Sequence, residues 1–203
     1  MLAAMNTHFR PQHLPLTTQA AEGLARRLWS MAEIDAMVAA GILMEDERFE
    51  LIGGEIVPMP PKGNRHELVK TALNLHWAAR IPPDIRFTKE TTFRLNETSF
   101  LEPDFVFYRK SVGLVNLKPE TALLVVEIAD TSLAYDLGRK AALYAGSGVR
   151  EFWVIDAVGL ETHVHRGAMA EGYRDKWIVP PNEMLAWDIS NAMSVQLGTL
   201  ELV

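Results

Sequence analysis

The stretch from 121 to 157, "TALLVVEIADTSLAYDLGRKAALYAGSGVREFWVIDA", constrains this chain more than any other. It opens on a run of aliphatic residues with no polar alternation, the pattern of a strand covered on both faces. From Ala134 to Ala145 the spacing turns helical, with Leu137, Ala141 and Tyr144 on one side and Gly146 and Gly148 as stop signals. "REFWVIDA" then reads as a second strand. Strand, helix and strand across 122 to 157 make a βαβ unit long enough for a right-handed crossover, so the two strands are predicted to be parallel neighbours. The fold class that follows is α/β, with a mixed central sheet flanked by helices.

One residue in the aliphatic run does not belong to a core. Glu127 stands before the run has ended. Burying a carboxylate without a partner costs several kcal/mol or raises its pKa by up to roughly 3–5 units, so the position demands a cation, a hydrogen-bond network or a metal.

The rest of the chain limits the answers. Its 203 residues bury a sufficient core as one domain without disulfides. There is no cysteine, which removes thiolate nucleophiles and cysteine zinc sites and fits a reducing compartment. No stretch is apolar for the ~18 residues a membrane span needs, and the start lacks the apolar segment of a secretory signal. The expectation is a cytoplasmic protein with an irregular arm over 1–29 and a single domain over 30–203. A net charge of −6 gives no basic footprint for nucleic acid, although a site that gathers carboxylates around a divalent cation is itself acidic before the metal arrives.

Upstream, Ser30 and Glu33 form a capping-box pattern ahead of a short helix over 31 to 40. "RFELIGGEIVPMP" reads as a β-hairpin turning at Gly53 and Gly54, with Glu50 and Glu55 in its strands. In "NRHELVKTALNLHWAARI", Asn64 and Glu67 repeat the capping logic, and Leu68, Ala72, Leu75 and Ala79 share one helical face, with His66 in the first turn. "IRFTKETTFRLNE" and "SFLEPDFVFYRK" read as two strands separated by Asn96, Glu97 and Thr98. "THVHRGAMAEGYRDKWIVPP" reads as a closing hairpin.

Asp104 heads "PDFVFY" and Glu127 lies near the end of "LLVVEI". On neighbouring strands, ~4.8 Å apart, the two carboxylates can hold one hard cation with water completing its shell. Lys140, on the following helix, can point back over the same sheet edge. Two acids and a lysine suit metal-assisted phosphodiester hydrolysis: the acids fix Mg²⁺ or Mn²⁺, and the ammonium positions water or steadies the developing charge.

These residues resemble a known family. "EPD" followed by "VVEIADTSLAYDLGRKAALYAGSGVREFWVID" is similar to the restriction-endonuclease-like family, formerly a domain of unknown function and abundant in cyanobacteria, within the PD-(D/E)xK nuclease superfamily. The similarity extends to "RFELIGGEIVPMPP", "NRHELVKTALNLH" and "TKETTFRL", covering roughly 30 to 190. It implies Asp104 and Glu127 as the two acids and metal ligands, and Lys140 as a lysine that has moved to the helix, since Ala129 stands where the usual signature has lysine. It further implies Glu50 as an additional metal or water-positioning acid and His66 as a catalytic-site histidine. The substrate implied is DNA, and two-fold cleavage of DNA favours a homodimer.

Plainer readings stand beside these. Asp104 after Pro103 can be a turn residue, Asp136 and Lys140 can be a solvated i,i+4 pair, Glu50 and Glu55 the polar sides of a hairpin, and His66 a structural histidine. Tyr144 is read as packing its ring on the sheet, with a hydroxyl long enough to reach the site, and Trp153 as core or interface. Two alternatives to a DNA endonuclease remain open: a catalytically silent nuclease-fold module for binding or dimerisation, and a hydrolase of another phosphodiester such as RNA.

Overall fold

The structure, a computed structural model, describes residues 26–44 and 47–202. Most of the expected N-terminal arm, residues 1–25, lies outside the described residues. Helix α1 (Met31–Ala39) begins with the expected capping box: Ser30 Oγ accepts from the Glu33 N–H at 3.3 Å, and the Ser30 N–H donates to Glu33 Oε2 at 2.9 Å. Met31 and Ile34 pack on Phe49, Leu51 and Phe100. The hairpin of β1 (Phe49–Ile52) and β2 (Glu55–Pro58) turns at Gly53 and Gly54, whose φ values of 58° and 86° are those a tight two-residue turn requires. Gly54 is fixed twice over, since a Cβ there would stand 2.6 Å from the Leu28 Cβ.

Helix α2 (Asn64–Ala78) corrects two readings. Its N-cap is Gly63, with no side-chain cap, and Asn64 is already helical. Glu67 does not close a capping box; it bonds Lys70 at 2.7 Å and faces His66. The buried face is His66, Val69, Lys70, Leu73 and Trp77, whereas Leu75 is 65% exposed. Both stripes have helical spacing; the one carrying Trp77 wins because an indole removes far more apolar area from water than the alanines opposite.

The two strands expected over 85 to 110 are four. β3 (Ile85–Thr88), β4 (Phe93–Asn96), β5 (Ser99–Leu101) and β6 (Phe105–Arg109) are divided between two sheets. Pro103 lies in the gap between β5 and β6, where the missing N–H of proline ends a ladder. β4 and β5 join β1 and β2 in a four-stranded antiparallel sheet of order β2-β1-β5-β4.

The second sheet is the frame of the molecule. It contains β7 (Ala122–Ala129), β8 (Glu151–Asp156), β9 (Thr162–Met169) and β10 (Gly172–Val179) in the order β10-β9-β8-β7-β6-β3. β7 and β8 are parallel, with Glu127 level with Val154, and the other pairings are antiparallel. The crossover between β7 and β8 is one helical segment, α3, made of Leu133–Tyr135, a π turn over Asp136–Lys140, and Ala141–Gly146. β9 and β10 form the expected hairpin.

Alternation along β7 sorts the two cores. Leu124, Val126 and Ile128 pack with Trp77, Phe105, Phe107 and Trp187, while Val125 and Ala129 pack with Tyr144, Phe152 and Phe93. Glu127 has the parity of Val125 and Ala129, so it enters the side covered by α3 and the small sheet. Trp153 is 1% exposed, so it is core and offers no interface. Asp156 caps its turn through the Val158 N–H at 2.8 Å.

Trp77 pins α2 to the sheet and to the C-terminal segment: it meets Phe105 and Phe107 edge-on at 5.0 and 5.1 Å and donates Nε1–H to the Met193 carbonyl at 3.0 Å. Trp77→Ala is expected to lower the unfolding free energy by about 3–5 kcal/mol in urea denaturation; a loss below about 1 kcal/mol would contradict this packing.

Candidate active site

Lys140 is the centre of the first half of the site. The π turn of α3 directs Asp136 and Lys140 inward and leaves Gly138 and Arg139 exposed, so the pair is buried and not solvated. Lys140 Nζ lies 2.9 Å from Glu50 Oε1, 3.0 Å from Glu127 Oε1 and 3.7 Å from Asp136 Oδ1. One ammonium thus faces three buried carboxylates, from β1, β7 and α3 respectively. The Tyr144 hydroxyl donates to Glu127 Oε1 at 2.8 Å, as its reach allowed.

The electrostatic consequence follows from the count. Burial pushes the Glu127 carboxyl upward; the Lys140 charge opposes this, but Asp136, Asp104 and Glu50 add to it. Burial disfavours the charged form of Lys140, yet Glu127, Glu50 and Asp136 more than offset that and hold the ammonium on. Negative charge is in surplus around a cation that does not release its proton.

Asp104 has the opposite environment. Continuing the pairing of Phe105 with Val126 by one residue brings Asp104 level with Glu127. Its Oδ2 accepts from the Ile128 N–H at 2.8 Å and lies 3.0 Å from His66 Nε2, and its Oδ1 accepts from Lys62 Nζ at 2.7 Å. Burial alone raises the Asp104 carboxyl, but the hydrogen bond and charge of His66, and then Lys62, outweigh it and hold the group at about 2. Lys62 Nζ also bonds Glu90 Oε1 at 2.6 Å, and Lys70 reaches the same oxygen at 3.0 Å.

All five residues singled out in the sequence line one cleft of about 350 Å³: Glu50, His66, Asp104, Glu127 and Lys140, together with Lys62. Three participants had no sequence signal. Lys62 sits in a proline-flanked loop that reads as a connection, Glu90 in a turn, and Tyr135, also lining the cleft, passes for a helix-surface aromatic although Lys140 Nζ stands 5.9 Å from its ring centre.

A hard divalent cation fits this donor chemistry. The carboxylates are oxygen donors, they outnumber the ammonium among them, and Mg²⁺ is commonly held by one or two carboxylates with water. Among the described residues no three acidic or imidazole groups converge on one point, and Lys140 and Lys62 stand against oxygens of Glu50, Glu127 and Asp104.

The two acids should differ in stability. Asp104, depressed from 3.8 to about 2, contributes stability that is complete above its ordinary pKa and is lost as pH falls through the folded value. Glu127, raised by burial, carries an ionised form that costs stability instead. Asp104→Asn is expected to lose about 3–5 kcal/mol in urea near neutral pH, with the gap to wild type closing on acidification toward pH 2. Glu127→Gln is expected to change stability by less than about 1 kcal/mol or to raise it, since Lys140 keeps two carboxylates. Equal losses from both would refute the asymmetry.

The fold has a solved counterpart. The chain is similar to the crystal structure of a putative nuclease belonging to DUF820 from Anabaena variabilis, with a TM-score of 0.54 at 16% identity, covering 74% of this chain and 87% of that one. Comparison with curated proteins finds no match. The family model described as "Putative restriction endonuclease", Uma2, matches residues 35–195, nearly the whole described fold and every residue of the cleft constellation. With that span matched, the chain belongs to the Uma2 family of putative restriction endonucleases.

Proposed function

We propose that this protein is a Mg²⁺- or Mn²⁺-dependent endonuclease that hydrolyses DNA phosphodiester bonds, and that the cleft holding Glu50, His66, Asp104, Glu127 and Lys140 is its active site. The observation that carries the reading is the surplus of buried carboxylate around a single ammonium, beside the interior strand β7 of a chain whose family is described as putative restriction endonucleases. Asp104 and Glu127 would hold the cation, with Glu50 supporting it or a water. When bound, such a cation supplies Lewis-acid chemistry, polarising the phosphoryl oxygen and acidifying water.

The residues of the chain do the remaining work. Lys140 keeps its proton, so its Nζ serves as a fixed hydrogen-bond donor and positive charge, orienting the attacking water and steadying charge on the phosphate oxygens. Tyr144 holds Glu127 Oε1, leaving the carboxylate one orientation. His66 and the Ile128 N–H fix Asp104 Oδ2, and with it the direction of Oδ1. Strand backbone and buried side chains thus fix where the two carboxylates stand, the positioning on which an oriented reaction depends.

Supercoiled plasmid incubated with Mn²⁺ is expected to be cut by wild type, left intact with EDTA, and cut at least ~10³-fold more slowly by Glu127→Gln and Asp104→Asn, the order lost when an essential charge-stabilising group is removed. Unchanged cleavage by either variant would remove that residue from the site. Cutting of an RNA oligonucleotide but not of DNA would transfer the same residues to another phosphodiester.

A further inference from the structure

Lys62 has no role in the chemistry above, yet it occupies the most exchangeable position in the site. Of the two Asp104 oxygens, Oδ2 is held by a strand backbone N–H and by His66, which is 6% exposed. Among the described residues, Oδ1 is held by Lys62 alone, at 2.7 Å. The Ile128 N–H cannot leave without opening the sheet, nor His66 without moving α2. Lys62 belongs to the loop between β2 and α2, its side chain is 13% exposed, and a four-carbon stem lets its ammonium swing at little cost.

A second contact shows that this ammonium is held by design of the fold and not by chance. Glu90, which takes Lys62 Nζ at 2.6 Å, has φ 48°, a left-handed backbone that side-chain-bearing residues seldom adopt and that persists only where surroundings enforce it. Its own N–H donates to the Pro103 carbonyl at 3.0 Å, directly beside Asp104. Lys70 shares the same Glu90 oxygen at 3.0 Å. Glu90 therefore offers Lys62 a second carboxylate whether or not Asp104 is engaged.

We propose that Lys62 is a displaceable counter-ion that occupies Asp104 Oδ1 in place of the divalent cation and competes with it, so that Lys62, anchored by Glu90, sets the cation affinity of the site. The inference rests on the reading of Asp104 as a cation ligand. Lys62 acts through Asp104 and is a positioning residue. Without it the buried carboxylate would stand half-compensated whenever no cation is present; with it, cation binding must first release an ion pair.

The test is calorimetric titration of Mn²⁺ into the full chain as wild type, Lys62→Gln, Lys62→Met and Lys62→Arg, with far-UV circular dichroism on each. Lys62→Gln keeps a hydrogen-bond donor for Asp104 without the charge and guards against a folding defect in Lys62→Met. Both neutral variants are expected to bind Mn²⁺ roughly ten- to a hundredfold more tightly than wild type, the range over which partners of metal ligands tune affinity, with Lys62→Arg near wild type. Damage to the site would weaken binding, so the direction separates competition from structural support. Neutral variants that bind as wild type does, or more weakly, overturn the proposal while leaving the cation site standing. Binding by none of the four proteins overturns both.

Discussion

The ammonium of Lys140 is the point on which the site depends. It joins three carboxylates from three separate elements: Glu50 from the small sheet, Glu127 from the centre of the large sheet and Asp136 from the crossover helix. Each of these charges would be intolerable alone in the interior, and one cation cannot neutralise three anions. Such a cluster is poor evidence for stability, because a hydrophobic replacement usually serves a core at least as well. Its presence against a covered sheet is what makes the position the candidate for the proposed chemistry.

Asp104 and Glu127 show how neighbouring positions on one sheet give two carboxylates different characters. Asp104 directly precedes β6, whose first residue Phe105 pairs with Val126, the neighbour of Glu127 on β7. Asp104 meets donors from β7, from α2 and from the Lys62 loop, and is held firmly ionised. Glu127 shares its lysine with two further acids and is pushed toward protonation. A divalent cation would satisfy both, by relieving the charge surplus at Glu127 and by exploiting the permanent charge at Asp104. Lys62 and Lys140 then differ in kind: the first, on a loop, is held by two carboxylates, and the second, on α3, faces three.

Much of this was legible in the chain because it depended on local pattern. The parallel β7 and β8 followed from strand, helix and strand spacing, the Gly53–Gly54 turn from two glycines between apolar runs, and Glu127 from its intrusion into an aliphatic run. What failed depended on tertiary competition. The stripe of Leu68, Ala72, Leu75 and Ala79 has the same periodicity as that of Val69, Leu73 and Trp77, and only the partner surface decides between them. The split of 85 to 110 into four strands on two sheets depends on where Pro103 falls relative to the ladders, which spacing alone does not reveal. The plainer reading of Asp136 and Lys140 as a solvated pair fails, and the reading of Lys140 as facing Glu127 holds, yet neither could be chosen from spacing because a helix face carries no mark of what covers it. Lys62 and Glu90 were invisible, since they stand 28 positions apart with a helix and a strand between them.

The most direct measurement is diffraction from a crystal soaked in Mn²⁺ and recorded at the manganese absorption edge. If the carboxylate surplus exists to receive a cation, an anomalous peak will stand in the cleft against Asp104 and Glu127, and will be absent from Glu127→Gln crystals treated alike. Carboxylates still paired with Lys62 and Lys140 in a fully soaked crystal, with no peak in the cleft, would contradict it and leave the cluster as a closed ion network.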